Sequence, residues 1–412
     1  MSSEIFKTLS LVKAEKLNNN VVDYARELVQ RESVTPADAG CQSWLEKKVK
    51  ALGATVTRFK TQDVSNFIAV IDKGEGPNVA FCGHTDVVPA GDLSKWTFLP
   101  YSAHIENGVM YGRGIADMKG GIAAFIAAAE LLVNDRTFEG KLWLFITSDE
   151  EGEAEHGSRA IVDYLKAQGV VLDYCIVGEP TAKQTIGDVV KIGRRGAISF
   201  DIDITGKAAH VAYPSHGINA IHLMSQVIGN LNEYHWDKGN EDCPGTSLQV
   251  THFDSGDWTD NVIPSKASIS LNIRYSYKYT EPRIKEMVEK AVSTVTEEYV
   301  IKSYRSCVPY FCEESSSADS LKDIVRKAIK EDFDIDCTFS TSGGTSDGRF
   351  FKEICSQIIE VGLPNKTIHQ VNESVAVAQL ERLSYLYFSI FNKLLSRERM
   401  NTSKENQHEV CV

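Results

Sequence analysis

The order of helical and strand-forming segments constrains the fold more than any other feature of this sequence. From Val21 to about Arg195, helical segments alternate with short β-branched or aromatic runs such as NVAFCGH, KLWLFITS and DYCIVGE. From about Gly196 to Pro309 the order changes to strand, helix, two strands and helix, and the first pattern then resumes. The alternation is typical of an α/β layered sheet, and the interruption predicts an inserted α+β domain.

The length of the chain also favours two domains. A chain of 412 residues is longer than one hydrophobic core usually serves. We therefore expect a discontinuous α/β domain formed by residues 1–195 and 310–412, and an inserted domain formed by residues 196–309. The polar residues from about 396 to 412 have no hydrophobic pattern, which predicts a mobile tail.

Charge and cysteine content limit the class of partner and the compartment. The chain has 44 Lys and Arg against 56 Asp and Glu, a net charge of -12, which disfavours nucleic acid or an anionic membrane as partner. A small-molecule partner is expected instead. The nine cysteines include no C-x-x-C pair, which is typical of free thiols in a reducing cytoplasm. There is no apolar run long enough to span a bilayer and no secretory signal pattern at the N-terminus.

Acidic and imidazole groups stand at, or just past, the ends of several predicted strands. Strand ends are where open α/β sheets build their sites. A mixed set of imidazoles and carboxylates suits Zn²⁺ or Co²⁺ better than Mg²⁺ or Ca²⁺. The groups are His84, Asp86, Asp117, Glu150, Glu151, Glu179 and His369.

Two short patterns in this set indicate distinct roles. In the H-x-D step, Asp86 can turn back to accept the second ring N–H of His84 and fix its tautomer. At a strand end, the neighbours Glu150 and Glu151 point to opposite sides, so one can bind metal while the other acts as a general base. A solvated turn is the commoner interpretation of an isolated DEE triplet, but the apolar strand before it favours a site.

Other candidates carry a weaker signal. His210, in GKAAHVAYP, follows a strand beside small residues, and an ordinary loop histidine explains it equally well. Arg194, Arg195 and Arg274 are candidates for binding carboxylates, although surface ion pairing is the usual role of arginine. The loops GRGIADMKGG and SGGTSDGRF lack the spacing of phosphate-binding loops. They are expected to form tight turns or to let the backbone approach a substrate.

These motifs, taken in order, resemble the zinc aminoacylase and exopeptidase family with a co-catalytic dimetal site. The resemblance covers about Val21 to Leu395 and implies an α/β zinc-exopeptidase-like catalytic domain with a mixed central sheet, plus an inserted dimerisation (lid) domain. It also implies two Zn²⁺ per subunit, with Co²⁺ as a substitute, and a homodimer. The motifs are GHTDVVPAGD, GRGIADMKGG, TSDEEGEA, VGEPT, KAAHVAYP and TIHQVNE.

The resemblance also assigns roles to individual residues. His84 and Glu179 would bind one zinc ion, Glu151 and His369 the other, and Asp117 would bridge them. Glu150 would be the general base, Asp86 the partner of His84, and the Asp117-Met118 peptide cis. His210 would donate to the oxyanion in the other subunit. The positions that match substrate contacts are Asn261, Arg274, Gly344 and Thr345, with Arg194 or Arg195 as an additional carboxylate ligand.

The family resemblance further implies an activity. The stretches IGDVVKIGRRGAI, WDKGNE, NVIP, LNIRYS and SGGTSDGRF indicate hydrolysis of N-succinyl-LL-2,6-diaminopimelate to succinate and LL-2,6-diaminopimelate in bacterial lysine biosynthesis. An acetylornithine deacetylase, an aminoacylase or a dipeptidase would have the same metal site and remains an alternative. A non-catalytic metal-binding scaffold is a third interpretation, which the presence of the non-ligand Glu150 argues against.

Overall fold

The structure is a computed structural model that describes residues 11–134, 138–240, 243–313 and 320–396. Most of the predicted tail lies outside the described residues. No helix in the described part is long and apolar enough to cross a bilayer. The α-helices are α1 (Leu11–Val29), α2 (Cys41–Ala51), α3 (Gly120–Asn134), α4 (Ser158–Ala167), α5 (Ala220–Glu233), α6 (Glu281–Ser293), α7 (Leu321–Phe333), α8 (Gly348–Phe351) and α9 (Val377–Leu395).

The strands form one large sheet and several smaller ones. In chain order they are β1 (Thr55–Thr61), β2 (Val64–Asp72), β3 (Asn78–His84), β4 (His104–Glu106), β5 (Val109–Tyr111), β6 (Lys141–Thr147), β7 (Tyr174–Val177), β8 (Val189–Lys191), β9 (Gly193–Arg194), β10 (Gly196–Thr205), β11 (Ala209–His210), β12 (Ser247–Asp254), β13 (Val262–Ile263), β14 (Lys266–Tyr275), β15 (Tyr299–Cys307), β16 (Tyr310–Phe311), β17 (Thr338–Ser340), β18 (Ile358–Glu360) and β19 (Ser374–Ala376).

The described chain divides into two compact units. The second unit contains residues 194–311 and 341–345, and the first contains the rest. The sequence pattern placed the boundaries at 195/196 and 309/310, and it assigned residues 341–345 to the catalytic domain. The structure places this short segment in the second unit, where the Arg194 guanidinium donates to the Ser342 carbonyl oxygen over 3.2 Å.

The first unit is built on an eight-stranded mixed sheet with the order β1-β2-β6-β3-β7-β18-β8-β17. Strands β6, β3, β7 and β18 run parallel to one another. Strand β2 is antiparallel to both of its neighbours, β1 and β6. Most residues of β3, β6 and β7 are apolar and buried, because parallel strands inside a sheet are covered on both faces. The predicted α/β class with a mixed central sheet is confirmed.

Helix α3 packs closely against the centre of this sheet. Its sequence GGIAAFIAAAELLV is rich in small apolar residues, and most of them are buried. The ring of Phe125 stacks on Phe81 of β3, with 4.3 Å between centroids. A Cβ atom on Gly121 would lie 2.8 Å from the Gly178 carbonyl oxygen, so only glycine permits this approach. The start of α3 therefore lies beside the end of β7.

The second unit is a four-stranded antiparallel sheet packed against two helices. The strand order is β12-β14-β10-β15, and α5 and α6 contribute to the core with residues such as Met224 and Val288. Along β10, Ile198, Phe200 and Ile202 are buried, while the intervening residues are more exposed. This alternation is what a sheet with one covered face requires.

Candidate metal centre

Three neighbouring parallel strands end beside a group of polar side chains. Strand β3 lies between β6 and β7, and His84 at its end is paired with Thr147 at the end of β6. Glu150 and Glu151 follow β6 closely, and Glu179 follows β7. Because parallel strands have their carboxyl ends at the same edge of the sheet, these side chains converge.

Asp117 lies between two imidazoles. Its Oδ1 is 3.3 Å from Nε2 of His84, and its Oδ2 is 3.4 Å from Nε2 of His369. The carboxylate is buried, and the Asp117-Met118 peptide is cis, as the family resemblance implies. Each oxygen of one carboxylate thus faces a different imidazole, an arrangement suited to bridging two cations.

The other carboxylates surround the same two imidazoles. The Nε2 atom of His84 is 3.7 Å from Glu179 Oε1 and 3.9 Å from Glu150 Oε2. The Nε2 atom of His369 is 2.9 Å from Glu151 Oε1. A tetrahedral zinc ion with bonds near 2.0–2.1 Å holds its ligand atoms about 3.4 Å apart. The spacing and the mixed nitrogen and oxygen donors therefore fit a transition metal.

Asp86 lies beside His84 with both its backbone carbonyl and its carboxylate. The Nδ1 atom of His84 is 2.9 Å from the backbone carbonyl oxygen of Asp86 and 3.6 Å from its carboxylate. The carboxylate also accepts the backbone N–H groups of Glu150, at 3.4 Å, and Glu151, at 3.1 Å. Asp86 therefore orients His84 through its carbonyl, which leaves Nε2 facing the cluster, and also holds the turn that carries both glutamates.

Burial and hydrogen bonding shift the pKa values of several groups in this cluster upward. Burial raises the pKa of Glu150 well above its usual value, although His84 opposes this. Burial also raises the pKa of Glu179, and the charges of Asp117 and Glu150 add to the effect. Hydrogen bonds to Asp117 and Glu151 raise the pKa of His369 to about 10. A bound cation would displace protons from these groups and supply the compensating charge.

The stability of the metal-free protein is expected to fall as pH rises from about 6.5 towards 10. The pKa of His369 is about 6.5 in the unfolded chain and about 10 in the folded protein. The imidazole therefore contributes its full stabilisation of the folded state below pH 6.5, and this contribution is lost as the pH rises through 10. The raised pKa values of Glu150 and Glu179 act in the same direction. Thermal unfolding across this range measures the effect, and an unchanged unfolding temperature would contradict it.

Two buried acidic residues near the cluster were not predicted. Glu373, only 1% exposed, accepts hydrogen bonds from the backbone of the Asp117 segment. Asp347, in SGGTSDGRF, is buried, its burial raises its pKa, and its charge acts on Glu150. Both residues occur inside motifs that the sequence singles out. A carboxylate within such a motif is the signal that identifies them.

The candidate arginines, Gly344 and Thr345 lie in the second unit. Arg194 binds the Ser342 carbonyl, and Arg195 donates to the Gly245 carbonyl over 3.0 Å. Burial lowers the pKa of Arg195, and the nearby charge of Arg274 lowers it further. Arg195 and Arg274 thus form a locally cationic pair that favours an anionic group.

His210 and Asn261 also belong to the second unit and are neighbours. The N–H of Val211 donates to the Asn261 carbonyl over 3.1 Å. The N–H of Ala212 donates to Nδ1 of His210 over 3.0 Å, so a neutral imidazole carries its proton on Nε2. The His210 side chain is exposed and can therefore present this N–H as a donor.

Comparison with known proteins identifies the family. A model of the peptidase family M20/M25/M40 matches residues 80–393. The chain belongs to this family. A relative from Shewanella loihica, succinyl-diaminopimelate desuccinylase 2, is 46% identical over 381 residues, 91% of this chain and 99% of its own length. Succinyl-diaminopimelate desuccinylase of Methylobacillus flagellatus is 41% identical over 379 residues, 92% of this chain and 100% of its own length.

Solved M20-like structures have the same fold. Aminopeptidase PepT of Bacillus cereus matches with a TM-score of 0.74 at 19% identity, covering 92% of this chain and 98% of its own. The Bacillus subtilis YXEP protein, a dinuclear metal binding peptidase from the M20 family, matches with a TM-score of 0.68 at 14% identity, covering 92% and 99%. The predicted family and the predicted class, a metal-dependent amide hydrolase, are confirmed.

Proposed function

We propose that this M20 enzyme hydrolyses N-succinyl-LL-2,6-diaminopimelate to succinate and LL-2,6-diaminopimelate, in the cytoplasm and as a step of bacterial lysine and diaminopimelate biosynthesis. The names of relatives 41% and 46% identical over nearly their whole length support the substrate. The observation that carries the chemistry is the Asp117 carboxylate, whose two oxygens face the imidazoles of His84 and His369. The free cysteines of the described chain support a reducing compartment.

The metal centre would hold two Zn²⁺, for which Co²⁺ is expected to substitute. His84, Asp117 and Glu179 would hold one ion, and Asp117, Glu151 and His369 the other. When bound, the ions polarise the amide carbonyl and lower the pKa of water. The short distances from Asp117 to both imidazoles support this division of ligands.

Glu150 would act as the general base. Its carboxylate would take a proton from the attacking water and pass it to the nitrogen of the leaving amine. Burial raises its pKa, and a raised pKa makes the carboxylate a stronger base. The Asp86 carboxylate, which accepts the backbone N–H of Glu150, would hold Glu150 in place.

The second unit would bind the substrate and a second copy of the chain. Arg274, with Arg194 or Arg195, would bind substrate carboxylates, and Asn261, Gly344 and Thr345 would contact the substrate. In the homodimer, His210 of the partner subunit would donate to the oxyanion. The exposed imidazole and its hydrogen bond from Ala212, which leaves the proton on Nε2, support this role.

A substrate panel on metal-stripped protein tests the proposed function. With Zn²⁺ restored, we expect hydrolysis of N-succinyl-LL-2,6-diaminopimelate at a kcat/KM at least about 100-fold above that for N-acetylornithine, because the arginines of the second unit suit a substrate with distant carboxylates. A chelator is expected to abolish the activity. Preference for acetylornithine or a dipeptide would replace the proposed substrate with one of the alternatives, whereas activity that persists without metal would contradict the mechanism.

A further inference from the structure

Glu373 is buried, and its carboxylate accepts hydrogen bonds from the segment Arg113–Asp117. One oxygen accepts the backbone N–H of Ala116 at 2.9 Å and of Asp117 at 3.2 Å. The other accepts the N–H of Gly114 at 2.9 Å and the Arg113 guanidinium at 2.8 Å. Both oxygens are thus occupied, and they organise the backbone immediately before the Asp117 side chain.

The same contacts join the Asp117 segment to the chain that carries His369. Arg113 also donates to the Gln370 carbonyl over 3.2 Å, and Gly112 N–H donates to the Glu373 carbonyl over 2.9 Å. His369 itself has a positive φ of 60°, which is uncommon for a residue other than glycine, although histidine adopts it more often than most. Glu373 and Arg113 therefore link the two segments whose side chains meet in the cluster.

We propose that Glu373, held by Arg113, is a positioning residue that sets Asp117 and His369 at the separation needed for two metal ions. It touches neither metal nor substrate and acts through the backbone of the ligand segments. Partners of this kind typically account for about 10- to 100-fold in metal affinity. The inference rests on the proposed function, because it requires that the cluster bind two ions.

The test is Glu373→Gln, which keeps the side-chain size but removes the charge and one of the two acceptor oxygens. Zn²⁺ binding to the metal-free protein is measured by competition with a chelating dye, and Co²⁺ binding by visible absorption. We expect one of the two Zn²⁺ affinities to fall by about 10- to 100-fold and the Co²⁺ spectrum to change. A purely structural role would lower the unfolding temperature and leave both affinities and the spectrum unchanged, which would overturn the proposal.

Asp237→Asn is the matched control. Asp237 also organises a loop, since it accepts the N–H and hydroxyl of Thr246 at 3.1 and 2.6 Å, but it lies in the second unit. The Asp237→Asn variant is expected to bind both Zn²⁺ ions with wild-type affinity. If Glu373→Gln does not fold, Arg113→Lys replaces it, and unchanged affinities in that variant overturn the proposal. A wild-type chain that binds fewer than two Zn²⁺ would overturn the proposed metal centre itself.

Discussion

Replacement of Glu150 by glutamine is expected to lower kcat by about 10²- to 10⁴-fold, the usual contribution of a general acid–base group. Glutamine has nearly the same shape but cannot accept a proton from water. Because Glu150 is not required as a ligand, the variant should retain its metal. The measurement is kcat for the succinylated substrate, with metal content determined by elemental analysis of the same sample.

The metal content is the decisive part of this experiment. Oxygen atoms of Glu150 and Glu179 lie within 4.8 Å of His84 Nε2 and of each other, so Glu150 has the position of a possible ligand as well as of a base. If Glu150 were a ligand, Glu150→Gln would lose metal together with activity. Glu151→Gln provides the matched comparison, since Glu151 contacts His369 and its loss is expected to remove metal.

The sequence predicts that these side chains meet, because most of them lie at or just past strand ends. Apolar runs mark β3, β6 and β7, and parallel pairing forces the residues that follow them to one edge of the sheet. The positions of His84, Glu150, Glu151 and Glu179 follow from this rule. His369 follows β18, a further parallel neighbour of β7, at a greater distance along the chain.

Contacts that depend on backbone atoms or on distant segments are beyond this kind of reasoning. The Asp86 carbonyl lies closer to the His84 ring than the Asp86 carboxylate does, and no residue pattern distinguishes the two. Glu373 is more than 250 residues from the segment it organises, and no periodicity joins positions so far apart. The place of residues 341–345 in the second unit, where Arg194 donates to the Ser342 carbonyl, likewise depends on contacts with a distant part of the chain.

Gly343 lies beside the contact between Arg194 and Ser342, and its conformation restricts the residue type at this position. A Cβ atom at this position would lie 2.4 Å from Nη1 of Arg194, and the backbone has a φ of +106°. The positive φ favours glycine, whereas the guanidinium lies at the end of a flexible side chain that can shift. The loop SGGTSDGRF contacts Arg194 of the second unit near one end and contains the buried Asp347 near its other end. The sequence alone predicts a tight turn or a close approach of the backbone to a substrate, and does not predict the contact with Arg194.

A mixed dimer of one Glu150→Gln chain and one His210→Ala chain is expected to regain about half of wild-type activity, because one of its two sites has both residues intact. Each variant alone should be nearly inactive, since loss of an oxyanion donor costs about 10²- to 10³-fold. The gain follows only if Glu150 of one subunit works with His210 of the partner subunit. Co-expression with two different affinity tags isolates the mixed dimer for the activity measurement.

The control distinguishes an active site that uses residues of two subunits from an effect of combining any two inactive variants. A dimer of Glu150→Gln and Glu151→Gln chains is expected to stay inactive, because both residues belong to the cluster of a single chain and each site then lacks one of them. If the Glu150→Gln and His210→Ala dimer were equally inactive, both residues would act within one chain, and the proposed role of the dimer in catalysis would be wrong. Recovery in the first pair alone would mean that the active unit is the dimer, because only a second copy can then supply the donor that the cluster of one chain lacks.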